Sequence, residues 1–155
     1  MKIEEGFTVD APADEVWALL SDPQRVAQLL PGAEITERID DTTYKGGIVV
    51  KVGPLVATYG GTVSFELDED DRSAVVRARG QGKAGLGTAD MTMNSRVVAL
   101  DGGGTEVTMD SDVIVTGILA QLGRGMTQVV SKKMLQEFVA RLTTALASEA
   151  KEAEA

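Results

Sequence analysis

TYKGGIVVKVGPLVATYGGTVSFELD, residues 43–68, reads as two strands that meet at Gly53-Pro54. A symmetric hairpin about that turn joins residues 43–52 to residues 56–68, with Gly46 opposite Gly61 and Gly47 opposite Gly60. Strand alternation then assigns faces. Tyr44, Gly46, Ile48, Val50 and Val52 share one face with Tyr59, Gly61, Val63, Phe65 and Leu67. Lys45, Lys51, Thr62, Ser64 and Glu66 point the other way. Glycine packs nothing and weakens a strand, so four of them at one spot mark a smooth, sharply bent patch. Two readings stay open: a bend in the sheet and nothing more, or missing side chains that leave room for a ligand. Gly46, Gly61, Gly80 and Gly82 are the residues expected to shape or gate such a space.

Outward from this hairpin, further strand-like segments lie at 33–40, 73–82, 88–100 and 105–116. Their connections carry turn residues: Asp40-Asp41, Asp68 to Asp71, and Asp101 to Gly104. Consecutive strands on short turns make an antiparallel meander. Before it, Ile3, Phe7 and Val9 mark a first strand. Pro12 with Asp14-Glu15 opens a short helix carrying Val16, Trp17, Leu19 and Leu20. Ser21-Asp22-Pro23 ends it, and a second short helix with Val26, Leu29 and Leu30 stops at Pro31-Gly32. Residues 118 to about 148 are helical. The class is therefore α+β: a curved antiparallel sheet of about seven strands, covered by one long C-terminal helix. One domain spans 1–148, and 149–155 form a polar tail.

The covered face is methionine-rich. Met91, Met93, Ser95 and Val97 point inward from 88–100, and Val107, Met109, Ser111, Val113 and Val115 from 105–116. Methionine suits an adaptable apolar binding surface, and equally it fills cores. An apolar pocket here takes Ile48, Val50, Tyr59, Met91, Met93, Met109 and Ser111 from the sheet, with Leu29 and Leu30 from the second helix. From the last segment it takes Leu119, Leu122, Met126 and Val130. That segment is anomalous. Val130, Met134, Leu135, Phe138, Val139, Leu142 and Leu146 share one side at helical spacing, whereas Ile118, Leu119 and Leu122 lie nearly opposite. Gly123-Arg124-Gly125 separates them, so the helix is expected to break or bend there. Residues 117–122 then form either a small apolar surface at the pocket mouth, for a partner or a membrane interface, or a segment folded back on the sheet.

Composition limits the chemistry. The 155 residues include no histidine and no cysteine, and the net charge is −9. No disulfide, thiolate nucleophile or ordinary zinc, copper, haem or iron–sulfur site is expected. Acidity disfavours nucleic acid as a partner. No secretory h-region and no membrane-length apolar run is visible, and the absence of cysteine fits a cytoplasmic protein. Gly80 to Gly87 lacks the phosphate-loop spacing and leads into a strand, so it is read as a flexible hairpin at the pocket rim, able to gate it. Asp90 and Glu5 lie near an inward register as candidate buried acids. No catalytic residue and no metal ligand is assigned.

Phe7, Ala11-Pro12, Val16-Trp17, Leu20 and Asp22-Pro23, in this order of elements, resemble the START-like (SRPBCC) superfamily of polyketide cyclases, allergen-type carriers and lipid-transfer domains. Leu30-Pro31-Gly32-Ala33-Glu34, Tyr44-Lys45-Gly46, Val50-Lys51-Val52-Gly53-Pro54, Gly80-Gln81-Gly82-Lys83 and Val115 to Gly123 are similar to the CoxG family, the G subunits of carbon monoxide dehydrogenase, over residues 1 to about 147. The resemblance implies a helix-grip fold with an apolar cavity. It also implies a non-enzymatic accessory of a molybdenum carbon monoxide dehydrogenase, docking that enzyme at the inner face of the cell membrane and carrying a respiratory quinone, menaquinone first. Tyr44, Tyr59 and Ser111 are candidates to orient the ring. A START-like cyclase or hydrolase acting on a polyketide-like substrate is the alternative from another class; a structural adaptor with a filled core is the third.

Overall fold

The computed structural model describes residues 1–154, apart from the side chains at 124, 153 and 154. Strand β1 (Lys2–Val9) leads into helices α1 (Ala13–Leu20) and α2 (Pro23–Leu29). The meander follows: β2 (Ala33–Arg38), β3 (Thr43–Val52), β4 (Leu55–Asp68), β5 (Ser73–Gly82), β6 (Thr88–Ala99) and β7 (Thr105–Val115). A 3-10 segment (Gly117–Leu122) then gives way to helix α3 (Gly123–Glu154). The seven strands form one antiparallel sheet in the order β1-β7-β6-β5-β4-β3-β2. The two helices thus carry the chain from β1 to β2 at the opposite edge, and the meander returns to lay β7 beside β1.

Local chemistry sets the element ends. The Pro12 carbonyl accepts from Glu15 N and Val16 N at 3.1 Å, and Asp14 and Glu15 place negative charge at the start of α1. The Asp22 carboxylate caps α2, accepting from Gln24 N at 3.1 Å, with Pro23 in its first turn. Asp40 ends β2 two residues earlier than expected, because its carboxylate accepts from Thr42 N and Thr43 N and closes a tight turn.

The register about Gly53-Pro54 is the symmetric one: Gly46 faces Gly61 and Gly47 faces Gly60. The expected break in the last segment is also present, at Gly123, whose φ is +81°. Residues 117–122 form a separate 3-10 segment ahead of the break, so the helical stretch from 118 is divided as expected. At its other end the helix passes 148 and runs through Glu154, so 149–154 extend α3; Ala155 lies outside the described residues.

Two packed clusters hold the sheet. The larger joins Val16, Trp17, Leu19 and Leu29 to Val97 and Val107 of the sheet and to Phe138, Leu142 and Leu146 of α3. Trp17 is tied down further, its indole N–H donating to Glu69 Oε2 at 2.6 Å. Arg25 with Glu149, and Arg72 with Asp14, add ion pairs around the same end. The smaller cluster, at the other end, packs Ala57, Tyr59 and Leu86 with Ile48, Ala89 and Leu119.

Candidate ligand-binding face

Between the two clusters lies the middle of the concave face. Cross-strand register defines its rows. One row runs Ile35–Gly46–Gly61–Gly80–Ala89–Val115. The next runs Tyr44–Val63–Ala78–Met91–Val113. Beyond it comes Phe65–Val76–Met93–Ser111–Ile3. Met91, Met93, Ala78, Val63, Ser111 and Val113 all point inward, yet they stay partly accessible and belong to neither cluster. Helix α3 comes near the sheet at β1 and at β3, close to its two edges. Between the two clusters these middle rows are left short of packing partners. Met1 joins this face: its amine donates to Val113 O at 2.7 Å and its carbonyl accepts from Val113 N at 2.8 Å, continuing the β1 ladder. Sequence reading missed Met1, because the first residue of a chain carries no periodicity of its own.

Tyr59 closes one end of this face. It is only 6% exposed, and its hydroxyl is buried without a hydrogen-bond partner among the described residues. Burial pushes its phenol pKa above the ordinary value. Its ring lies over the glycines of β5. A Cβ on Gly80 would meet Tyr59 Cβ at 3.5 Å and Cδ1 at 3.8 Å, and one on Gly82 would stand 3.0 Å from Tyr59 Cε1. Leu86 covers the ring from the 83–87 loop.

The family model for the G subunit of carbon monoxide dehydrogenase (CoxG) matches residues 6–147. The chain belongs to the CoxG family. Among solved structures, a conserved protein from Geobacillus kaustophilus superposes with a TM-score of 0.86 at 18% identity, covering 96% of both chains. The ZhuI aromatase/cyclase from Streptomyces sp. R1128 gives 0.68 at 20% identity, covering 95% of this chain and 93% of the other. A START superfamily protein from Mycobacterium smegmatis gives 0.68 at 14%, covering 95% and 97%. These likenesses establish the START-like helix-grip fold. No curated protein matches the sequence significantly.

In this CoxG-family chain the sequence-expected pocket residues divide into three groups. Met91, Met93 and Ser111 lie in the middle rows of the concave face and Ile48 and Val50 at its Tyr59 end, with Met109 at the margin of the larger cluster. Leu29 is buried inside that cluster and Leu30 packs on it, so both support the α2 end. Leu119 packs with Tyr59's cluster, whereas Leu122 and Met126 are 40% and 41% exposed and Val130 is partly buried. The last segment thus divides between the two alternatives: Leu119 folds onto the sheet, while Ile118 and Leu122 are exposed.

Several expectations need correction. At Gly46 and Gly61 the missing side chains do not make ligand volume. A Cβ on Gly61 would stand 2.9 Å from both Arg79 C and Gly80 Cα, and closer still to the Arg79 carbonyl oxygen; one on Gly46 would run into Glu34 O. Neighbouring backbone occupies that space, so these two glycines permit the bend. Gly82 is likewise filled, by Leu86 and Tyr59. The 83–87 loop, expected as a flexible gate, is tied down. Lys83 N donates to Thr58 O at 3.1 Å, Gly82 N to Gly87 O at 2.7 Å, and Thr88 and Thr116 exchange bonds at 2.9 Å. Gly87 and Gly117 approach so closely that a Cβ on either would enter the other's backbone. Asp90 points outward and pairs with Arg79 at 3.2 Å. Leu67 continues the inward row of β4 but is exposed at the sheet end. Glu5 does face inward and accepts from Ser131 Oγ at 3.0 Å.

Among the described residues no cluster of His, Cys, Asp and Glu fits a metal ion, and no helix is long and apolar enough to cross a membrane.

Proposed function

We propose that this chain is a non-enzymatic carrier of a lipophilic respiratory quinone, menaquinone first, serving a molybdenum carbon monoxide dehydrogenase and linking it to the membrane electron-transport chain. The observation that carries the reading is the partly accessible, methionine-bearing concave face between two packed clusters. An isoprenoid tail needs an apolar surface that adapts to its kinks, which flexible thioethers supply. Burial contributes about 0.8 kcal/mol per CH₂, so each five-carbon unit adds up to about 4 kcal/mol of driving force. Membership of the CoxG family supports the partner enzyme. Ile118, Leu122, Met126 and Val129 form an exposed apolar rim where the 3-10 segment meets α3, suited to transient contact with the inner face of the membrane. With a net charge of −9, that contact rests on apolar insertion rather than on attraction to anionic lipid.

The test is a titration with a short-chain menaquinone, comparing the wild type with Met93→Trp. An indole at position 93 fills the middle of the face and lowers affinity at least tenfold. Unchanged binding in a folded variant would remove the concave face as the site. One observation favours a START-like cyclase or hydrolase as a second reading: Glu5, an inward carboxylate positioned to act as a general base. Turnover of a polyketide-like substrate, lost in Glu5→Gln, would establish it.

A further inference from the structure

We infer that Tyr59 reads the polar end of the bound molecule: its hydroxyl hydrogen-bonds a ring oxygen of a lipid whose tail runs along Met91 and Met93. The inference rests on the carrier reading and adds an orientation and a specificity determinant to it.

Four observations carry it. Buried polar groups in folded proteins almost always have partners, and the Tyr59 hydroxyl has none among the described residues. Its position is fixed, because the ring is clamped between the β5 glycines and Leu86, with Ile48 and Leu119 around it. The hydroxyl therefore does not relieve its isolation by swinging to solvent. Register places Tyr59, with Ile48 and Gly82, one row beyond the Gly46–Gly61–Gly80 row and two beyond the Met91 row. The ring runs from Gly80 toward Gly82, so its hydroxyl sits at the loop end of the face, and a molecule anchored there by its head passes its tail back across the glycine bend to the methionines. The other two candidates for this role are weaker. Tyr44 stacks edge-on against Phe65, with ring centroids 5.9 Å apart, and Ser111 lies in the middle of the face, where the tail passes.

The chemistry selects a ligand class. A neutral phenol both donates and accepts a hydrogen bond, and a tyrosine hydroxyl is protonated at physiological pH. It can donate to the carbonyl oxygen of a quinone and accept from the hydroxyl of the corresponding quinol. One side chain thus holds both redox forms of a carrier molecule, and it gives no such return to a hydrocarbon of the same shape. The head lies at the end of the sheet that bears the exposed Ile118–Leu122 rim.

Two probes that differ only in their oxygens make the test: 2-methyl-3-prenyl-1,4-naphthoquinone and 2-methyl-3-prenylnaphthalene, titrated calorimetrically into the wild type and Tyr59→Phe. The wild type is expected to prefer the quinone by roughly five- to tenfold, the value of one hydrogen bond. Tyr59→Phe is expected to lose that preference while binding the hydrocarbon as before. If Tyr59→Phe keeps the preference, the assignment to Tyr59 is overturned and the carrier reading stands. If the wild type binds neither probe, the carrier reading falls and the assignment with it. A second measurement needs no variant. In the infrared spectrum of the quinone bound to the wild type, one carbonyl stretch should move to lower frequency than in an alkane solvent; two unshifted carbonyls would overturn the assignment.

Discussion

Replacing Gly61 by alanine tests whether backbone approach sets the curvature of the sheet. The new Cβ would stand 2.9 Å from Arg79 C and from Gly80 Cα, inside ordinary contact, with the Arg79 carbonyl oxygen nearer still. Backbone on a paired strand cannot rotate away as a side chain does, so β4 and β5 must separate locally. Overpacking of this kind costs about 1–3 kcal/mol. Each ladder bond weakened by the separation adds about 1 kcal/mol. The total is about 3 kcal/mol, a large share of the roughly 5–15 kcal/mol that holds a domain together. Gly60 is the matched control, since a Cβ there meets only Gly46 O, at 4.0 Å. Gly60→Ala should be neutral or stabilising by up to about 1 kcal/mol, through the unfolded chain. In urea, with a slope of about 2 kcal/mol per molar, Gly61→Ala should lower the midpoint by about 1.5 M while Gly60→Ala leaves it or raises it slightly. If the two variants fall within about 0.5 kcal/mol of each other, a spread ordinary for surface changes, the bend does not depend on the close approach at Gly61.

Other consequences follow from Tyr59 and from the exposed rim. Because the folded-state pKa of Tyr59 lies above its ordinary value of 10.0, the stability it confers is fully present below pH 10 and is lost as pH rises through the folded pKa. Urea unfolding between pH 9 and 11.5 should therefore show a steeper decline for the wild type than for Tyr59→Phe, and equal slopes would contradict the burial of the phenol. Leu122→Asp combined with Val129→Asp changes residues 40% and 62% exposed, so thermal stability should hold within a few degrees. Co-sedimentation with lipid vesicles should drop several-fold in the same variant; retention at wild-type levels would exclude this rim as the membrane contact.

Much of the architecture was legible because the strands carry their own register. Asp68–Asp71 and Asp101–Gly104 marked turns, and Gly53-Pro54 fixed the β3–β4 pairing to the residue. The change of apolar side between Leu122 and Val130 revealed the break that Gly123 makes with its positive φ. The site was less legible, for a physical reason. A glycine in a strand says that no side chain fits, but not whether a ligand or another backbone takes the space; at Gly46 and Gly61 it is backbone. Leu86 lies in a loop without periodicity, so nothing in the sequence announced that it folds inward over Tyr59. Asp90 was within reach of sequence reasoning, because the inward direction of Met91 already turns its neighbour outward.

Purification of the full chain from a menaquinone-producing host, native mass spectrometry, and organic extraction of the bound material test the central claim most directly. Close to one menaquinone per chain is expected, identified by its naphthoquinone spectrum and the mass of its isoprenoid tail. A chain that emerges empty of quinone from such a host would contradict the carrier reading, and would turn attention to Glu5 and the cyclase alternative.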